Sequence, residues 1–226
     1  MEVTNSQQLI FSSSCSVYGN SKELPVTEKT IRQQAESPYA RTKQMGEDIL
    51  LDYCHVHPTF KAVLLRYFNP AGAHPSALLG EASSNPASNL VPVITETAIG
   101  KRQAMTVFGD DYETRDGSCI RDYIHIMDLA RAHTQALDYL LEDRQASNCE
   151  IFNLGTGSGV SVLEAISAFE TVSEQKLNYQ LGDRRAGDVV SIYANYDKAK
   201  QELGWSPQYD INDIMRTAWA WEKVRK

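Results

Sequence analysis

Short β-rich runs alternate along this chain with longer amphipathic ones. Leu9, Ile10 and Phe11 head a strand that continues into Ser12, Ser13 and Ser14, and Ala62–Tyr67 reads as a second strand. The stretch Tyr39–His55 between them predicts a helix, as does Asn89–Ile99, with Met105–Phe108 a strand. From Ile126 to Leu141, apolar positions fall at Ile126, Leu129, Ala130, His133, Leu137 and Leu140. Spacings of three and four mark one packed face of a helix, on which His133 is expected to be a satisfied core histidine. Ile151–Leu154 and Leu177–Leu181 read as strands, Val162–Val172 and Asp210–Arg225 as helices. Strands alternating with helices predict right-handed βαβ units and a mostly parallel sheet covered on both faces. The fold class is α/β.

Composition narrows the partners. The 226 residues carry 22 basic and 29 acidic side chains, a net charge of −7 that leaves no footprint for nucleic acid or an anionic membrane. With 42% hydrophobic and 23% charged residues the chain reads as a soluble globular protein, long enough to fold without staples. No apolar run approaches the roughly 18 residues of a membrane span, and Met1–Gln8 lacks the pattern of a secretory leader. Cys15, Cys54, Cys119 and Cys149 are scattered, with no CxxC pair, which fits a reducing cytoplasm. His55 and His57 read as a solvated helix end, so no metal is expected.

Two segments carry candidate chemistry. Gly155, Gly157 and Gly159 follow a strand and precede a helix, where a phosphate-cradling turn belongs, but Val160 occupies the position of the third glycine of GxGxxG. The favoured reading is a tight turn in which glycine supplies positive φ. In SPYARTK, Tyr39 and Lys43 lie four apart, one turn along the same helix face. An ammonium beside a phenol favours phenolate, and such a tyrosine can act as general base toward an alcohol. Upstream, Ser14 ends a parallel strand at the mouth of the sheet, where ligands of open α/β sheets bind. Its hydroxyl either passes a proton between substrate and Tyr39 or caps the turn that follows.

SSSCSVYG, SPYARTK, LLRYFNPAGAHPSALLGE, NLVP, VFGDDYETRDGSCIRDYIHIMDLA, IFNLGTGSG and RRAGDV occur in this order. Together they resemble the UDP-glucose 4-epimerase (UDP-galactose 4-epimerase) family of extended short-chain dehydrogenases/reductases, over nearly the whole chain. The resemblance implies an NAD-dependent interconversion of UDP-galactose and UDP-glucose in galactose metabolism, through a transient 4-keto sugar. Tyr39, Lys43 and Ser14 would be catalytic and, with Phe68, would contact NAD. Asn69, Asn89, Leu90, Thr106, Val107, Phe108, Arg121, Tyr123, Arg185 and Asp188 would hold the UDP-sugar, the two guanidinium groups gripping its diphosphate. Ile192 falls where family members set their tolerance for N-acetylated sugars, and isoleucine leaves that choice open. The implied architecture is the C-terminal portion of a Rossmann-like doubly wound parallel sheet plus a smaller α/β substrate domain. Residues 1–70 would belong to the Rossmann-like part and 71–226 mainly to the substrate domain, with about 120–155 returning to the sheet.

The family's opening glycine-rich loop, its ribose-binding acid and several βα units have no counterpart here. By that resemblance the N-terminal third is absent, which would weaken NAD binding, leave the first strand as an edge and compromise the family's homodimer. Two alternatives follow. One is a non-catalytic or split-gene fragment that binds the UDP-sugar and needs an N-terminal half; the other is a nucleotide-sugar dehydratase or decarboxylase. The dehydratase branch carries an acidic pair where this chain has Ser14 and Cys15.

Overall fold

A computed structural model describes residues 6–185 and 187–225. Most of the leader region considered above, and Ala186 of the RRAGDV segment, lie outside the described residues.

Three parallel strands form the first sheet. β1 (Gln8–Ser14) pairs with β2 (Lys61–Tyr67) from Gln8↔Lys61 to Ser14↔Tyr67, and β2 pairs with β7 (Cys149–Leu154) from Ala62↔Cys149 to Tyr67↔Leu154. The central strand reads KAVLLRY without polar alternation, as expected of a parallel strand covered on both faces. Helix α1 (Pro38–Val56) covers one face and α3 (Ile126–Leu141) the other. Ser37 caps α1 by accepting from the Ala40 amide, and Pro38 occupies the first helical position, where a missing N–H costs nothing.

The face of α3 differs from expectation. Leu129, Ala132, Ala136, Tyr139 and Leu140 are buried, whereas Ile126, Leu137 and Ala130 face outward. Alanines at 132 and 136 let the helix approach the sheet closely, so the packed stripe lies beside the row of larger apolar residues. His133 is half-buried at its edge, with Nδ1 2.9 Å from the Leu129 carbonyl and Nε2 3.5 Å from Ser12 Oγ.

A second core lies where α2 (Leu90–Ala98), α4 (Val162–Ser173) and α5 (Ile211–Val224) pack together over Met105, Val107 and Tyr123. The parallel pair β4 (Met105–Phe108) and β9 (Tyr179–Gly182) borders it. The parts are stitched by short strands. β3 (Asn69–Ala71) pairs in parallel with β6 (Tyr123–His125), and β5 (Ile120–Arg121) lies between parallel β10 (Ser191–Ile192) and antiparallel β8 (Val160–Ser161). β3 leaves the end of β2 after a single residue, Phe68, which ties this region directly to the first sheet. No helix among the described residues is long and apolar enough to cross a membrane. No group of three or more His, Cys, Asp or Glu among them is placed to hold a metal ion.

Candidate active site

The carboxyl ends of β1 and β2 meet the first turns of α1. Lys43 Nζ donates to the Ser12 carbonyl at 2.8 Å and lies 5.5 Å from the centre of the Tyr39 ring. Tyr39 is 53% exposed. Ser14 ends β1 and accepts from the Ser16 amide at 3.2 Å, capping the 3-10 turn Cys15–Tyr18. That hydroxyl therefore serves the backbone and still has its proton to give. Ser16 Oγ is buried without a hydrogen-bond partner. Burial pushes the neighbouring Cys15 thiol up to about 12, against the pull of Arg121, so it is no thiolate nucleophile.

Ser14 stands opposite Tyr67 in the sheet, and two residues beyond Tyr67 the chain reaches Asn69. Asn69 lines a cavity of about 210 Å³ and points a buried, unpartnered Oδ1. Asn89 and Leu90, at the start of α2, form one wall; Thr106 and Phe108 of β4 form another. Arg121, Tyr123, Arg185 and Asp188 complete it. Arg121 donates to the carbonyls of Ile120 and Val189 and stands 3.7 Å from the Asp188 carboxylate, which also takes a 3.1 Å bond from Arg185. The Arg185 guanidinium lies 5.9 Å from the centre of the Phe108 ring. Two guanidinium groups sharing one carboxylate, beside a half-exposed aromatic ring, suit an anion joined to a flat heterocycle. Burial holds the Tyr123 hydroxyl well above its ordinary range, so it stays protonated as a donor.

Three positions differ from the sequence reading. Val107 is buried in the second core and does not line the cavity, although Met105, Thr106 and Phe108 of the same strand do. Phe68 is buried among Val17, Tyr18, Val26 and Ala194, so its ring faces core and not the Tyr39 side. Ile192 packs in that same cluster instead of lining the cavity. Conversely, Ser88, Val93, Met105, Cys119 and Val162 line the cavity without having been singled out. Cys119 precedes the two-residue strand β5, so no strand period in the sequence points to it.

The glycine turn carries an internal anion. The buried carboxylate of Asp122 accepts from the Thr156 amide and hydroxyl at 2.7 and 2.6 Å, the Gly157 amide at 3.2 Å and the Ala194 amide at 3.0 Å. Gly157 has φ +79°, and a Cβ on Gly155 would lie 2.4 Å from Asp122 Oδ2. The amides that a phosphate would need are thus taken by a protein carboxylate, as a tight-turn reading requires. A wider cleft of about 720 Å³ runs from Arg32 to Pro38 along α1. Several of its polar groups are bonded to one another or to backbone, as in Arg32–Asp48 and Gln44 with the Val17 and Gln33 carbonyls.

The family model described as GDP-mannose 4,6 dehydratase matches residues 1–218. A UDP-glucose 4-epimerase of Dictyostelium discoideum is 45% identical over 218 residues, covering 96% of this chain and 62% of the relative. The Homo sapiens UDP-glucose 4-epimerase is 43% identical over 223 residues, covering 99% and 63%. Among solved structures, the Stenotrophomonas maltophila UDP-glucose 4-epimerase with bound NAD and formylated UDP-arabinopyranose superposes with TM-score 0.95 at 42% identity, over 99% of this chain and 66% of that one. The Bifidobacterium longum enzyme in complex with NAD+ and UDP gives 0.93 at 42% identity, over 99% and 65%. The chain thus spans about three fifths of the length of the curated relatives it matches. With fold, motifs and family model in agreement, the chain belongs to the GDP-mannose 4,6 dehydratase family of extended short-chain dehydrogenases/reductases, as a homologue of UDP-glucose 4-epimerases.

Proposed function

We propose that these residues carry the 4-epimerisation of a UDP-hexose, the interconversion of UDP-galactose and UDP-glucose, with NAD as cofactor. The observation that carries this reading is a distance along the chain. Asn69, in the cavity with the paired arginines, is two residues past Tyr67, whose sheet partner is Ser14. A nucleotide-sugar gripped by its diphosphate in the cavity therefore extends its sugar toward Ser14, Tyr39 and Lys43. Tyr39 Oη takes the proton of the sugar 4-hydroxyl, the Lys43 ammonium favours the charge that proton loss leaves, and Ser14 orients the hydroxyl. NAD, when bound, supplies the hydride acceptor and donor. The residues at hand fit its reactive end, around Tyr39, Lys43 and the unpartnered Ser16 Oγ. No free glycine turn among the described residues fits its pyrophosphate.

NMR of the purified chain with UDP-galactose and NAD+ tests the reading, with Tyr39→Phe beside it. Conversion to UDP-glucose that falls by about 10²–10⁴-fold in the variant supports it. Absence of conversion at any NAD+ concentration removes it for this chain. A second reading, a UDP-sugar binder without turnover of its own, is favoured by the Asp122-filled glycine turn. Calorimetry with UDP and NAD+ separately distinguishes it, since it requires binding of the first alone. The dehydratase reading is disfavoured by Ser14-Cys15, where it needs acids.

A further inference from the structure

Tyr39 and Lys43 stand on a stripe of α1 that reaches Glu47 one turn later. The Glu47 side chain is fully buried, and its carboxylate collects donors from two strands and a loop. Arg66 of β2 grips it with Nε at 2.8 Å and Nη2 at 2.6 Å, Ser13 of β1 donates its hydroxyl at 2.5 Å, and Arg32 approaches at 3.4 Å. Arg66 is itself 3% exposed and passes its remaining Nη1 to Tyr18 Oη at 3.0 Å, which donates to Asn153 Oδ1 of β7 at 2.6 Å. Gly46, next to Glu47, lets α1 lie against β1 so closely that a Cβ there would fall 2.6 Å from the Phe11 ring.

A buried ion pair is a poor source of stability, because well-packed apolar residues of the same volume often do as well or better. What this pair supplies is register. Ser13, bonded to Glu47, follows the residue whose carbonyl receives Lys43 Nζ and precedes Ser14. The Glu47 carboxylate therefore fixes the helix carrying Tyr39 and Lys43 against the strand end carrying Ser12 and Ser14. We propose that Glu47 and Arg66 are positioning residues for the Tyr39–Lys43 pair, setting the seat of Lys43 on β1. This rests on the assignment of Tyr39 and Lys43 as the reacting pair.

Two variants of the whole chain test it. The triple substitution Ser13→Ala, Glu47→Met, Arg66→Met replaces the buried charges by apolar volume, and Glu47→Gln keeps the shape while losing the charge. Melting curves and UDP calorimetry report that fold and cavity are intact. The deciding readout is the rate at which a short pulse of reductive methylation labels Lys43, followed by peptide mass spectrometry. Lys61 and Lys198, paired with Asp143 and Glu150, serve as internal references. In a folded, UDP-binding variant the Lys43 rate is expected to rise severalfold while the references hold. Under turnover, kcat should fall roughly ten- to a hundredfold at unchanged KM, as for a misplaced reacting group. A folded variant of either kind whose Lys43 labelling equals that of the unsubstituted chain overturns the proposal. If the unsubstituted chain shows no turnover, the epimerase reading fails, and the labelling comparison still decides the positioning role.

Discussion

Asn69 ends in a buried Oδ1 that accepts no hydrogen bond from the chain, while its backbone N–H donates to the Asp122 carbonyl at 2.9 Å. A buried acceptor left unpaired costs about 1–3 kcal/mol, a penalty that a ligand donor relieves. Asn69→Ala should therefore leave the melting temperature of the free chain unchanged or higher, and lower the affinity for UDP-sugar by about tenfold. Thermal melts and calorimetry on the same preparation check both halves; a lower melting temperature with affinity intact would contradict the argument. Asn69 is singled out in the sequence only by the family resemblance, whereas the Tyr39–Lys43 pair also stands out by its spacing. Less legible is which way each side chain turns: Val107 sits on the strand whose Met105, Thr106 and Phe108 line the cavity, yet it is spent on the second core. The burial of the Phe68 side chain is no more legible. Phe68 connects β2 to β3, where no run of residues exists to set a period.

At the scale of elements, long helices and the strands of the parallel sheet follow from sequence within a residue or two, because each buries a continuous apolar face. The two-residue strands β5, β8 and β10 leave no such pattern, yet their pairing holds Arg121 at the cavity. Their register depends on the start of α4, where Ser161 and Glu164 form a reciprocal capping box and Arg115 grips Glu164 from outside. The Arg115 guanidinium holds the Glu164 carboxyl below the usual carboxylate range. With the folded value depressed, this stabilisation is present above the unfolded pKa of about 4.3 and is lost as pH falls through the folded value. Glu164→Gln should thus lower stability at pH 7 by about 1 kcal/mol or less, the pair being partly exposed, and flatten the acid limb of the stability curve. Denaturant titrations at pH 7 and pH 3 should show the gap between variant and unsubstituted chain closing at the lower pH.

Across the whole molecule, the cavity lies where the second core meets the β3–β6 pair. Met105, Val93 and Val162 reach it from the core under α2, α4 and α5, while Asn69 and Tyr123 bring the β3–β6 pair that continues from the first sheet. A ligand filling it bonds both parts at once and stabilises them together. Binding to the folded state alone contributes about 2.7 kcal/mol at a hundredfold excess over Kd, which for a chain of this size is a rise of roughly 5–10 °C in melting temperature. UDP should produce that rise as one sharpened transition, and Arg121→Ala should abolish most of it, since the fork facing Asp188 is then gone. NAD+ at the same concentration should raise the melting temperature less, because the amides of the one strand-to-helix glycine turn among the described residues are already spent on Asp122. Differential scanning calorimetry of the chain with each ligand measures all three quantities. A larger shift with NAD+ than with UDP would mean that the dominant anion site lies outside this cavity, and that the arginine pair facing Asp188 is a surface charge network and not a diphosphate grip.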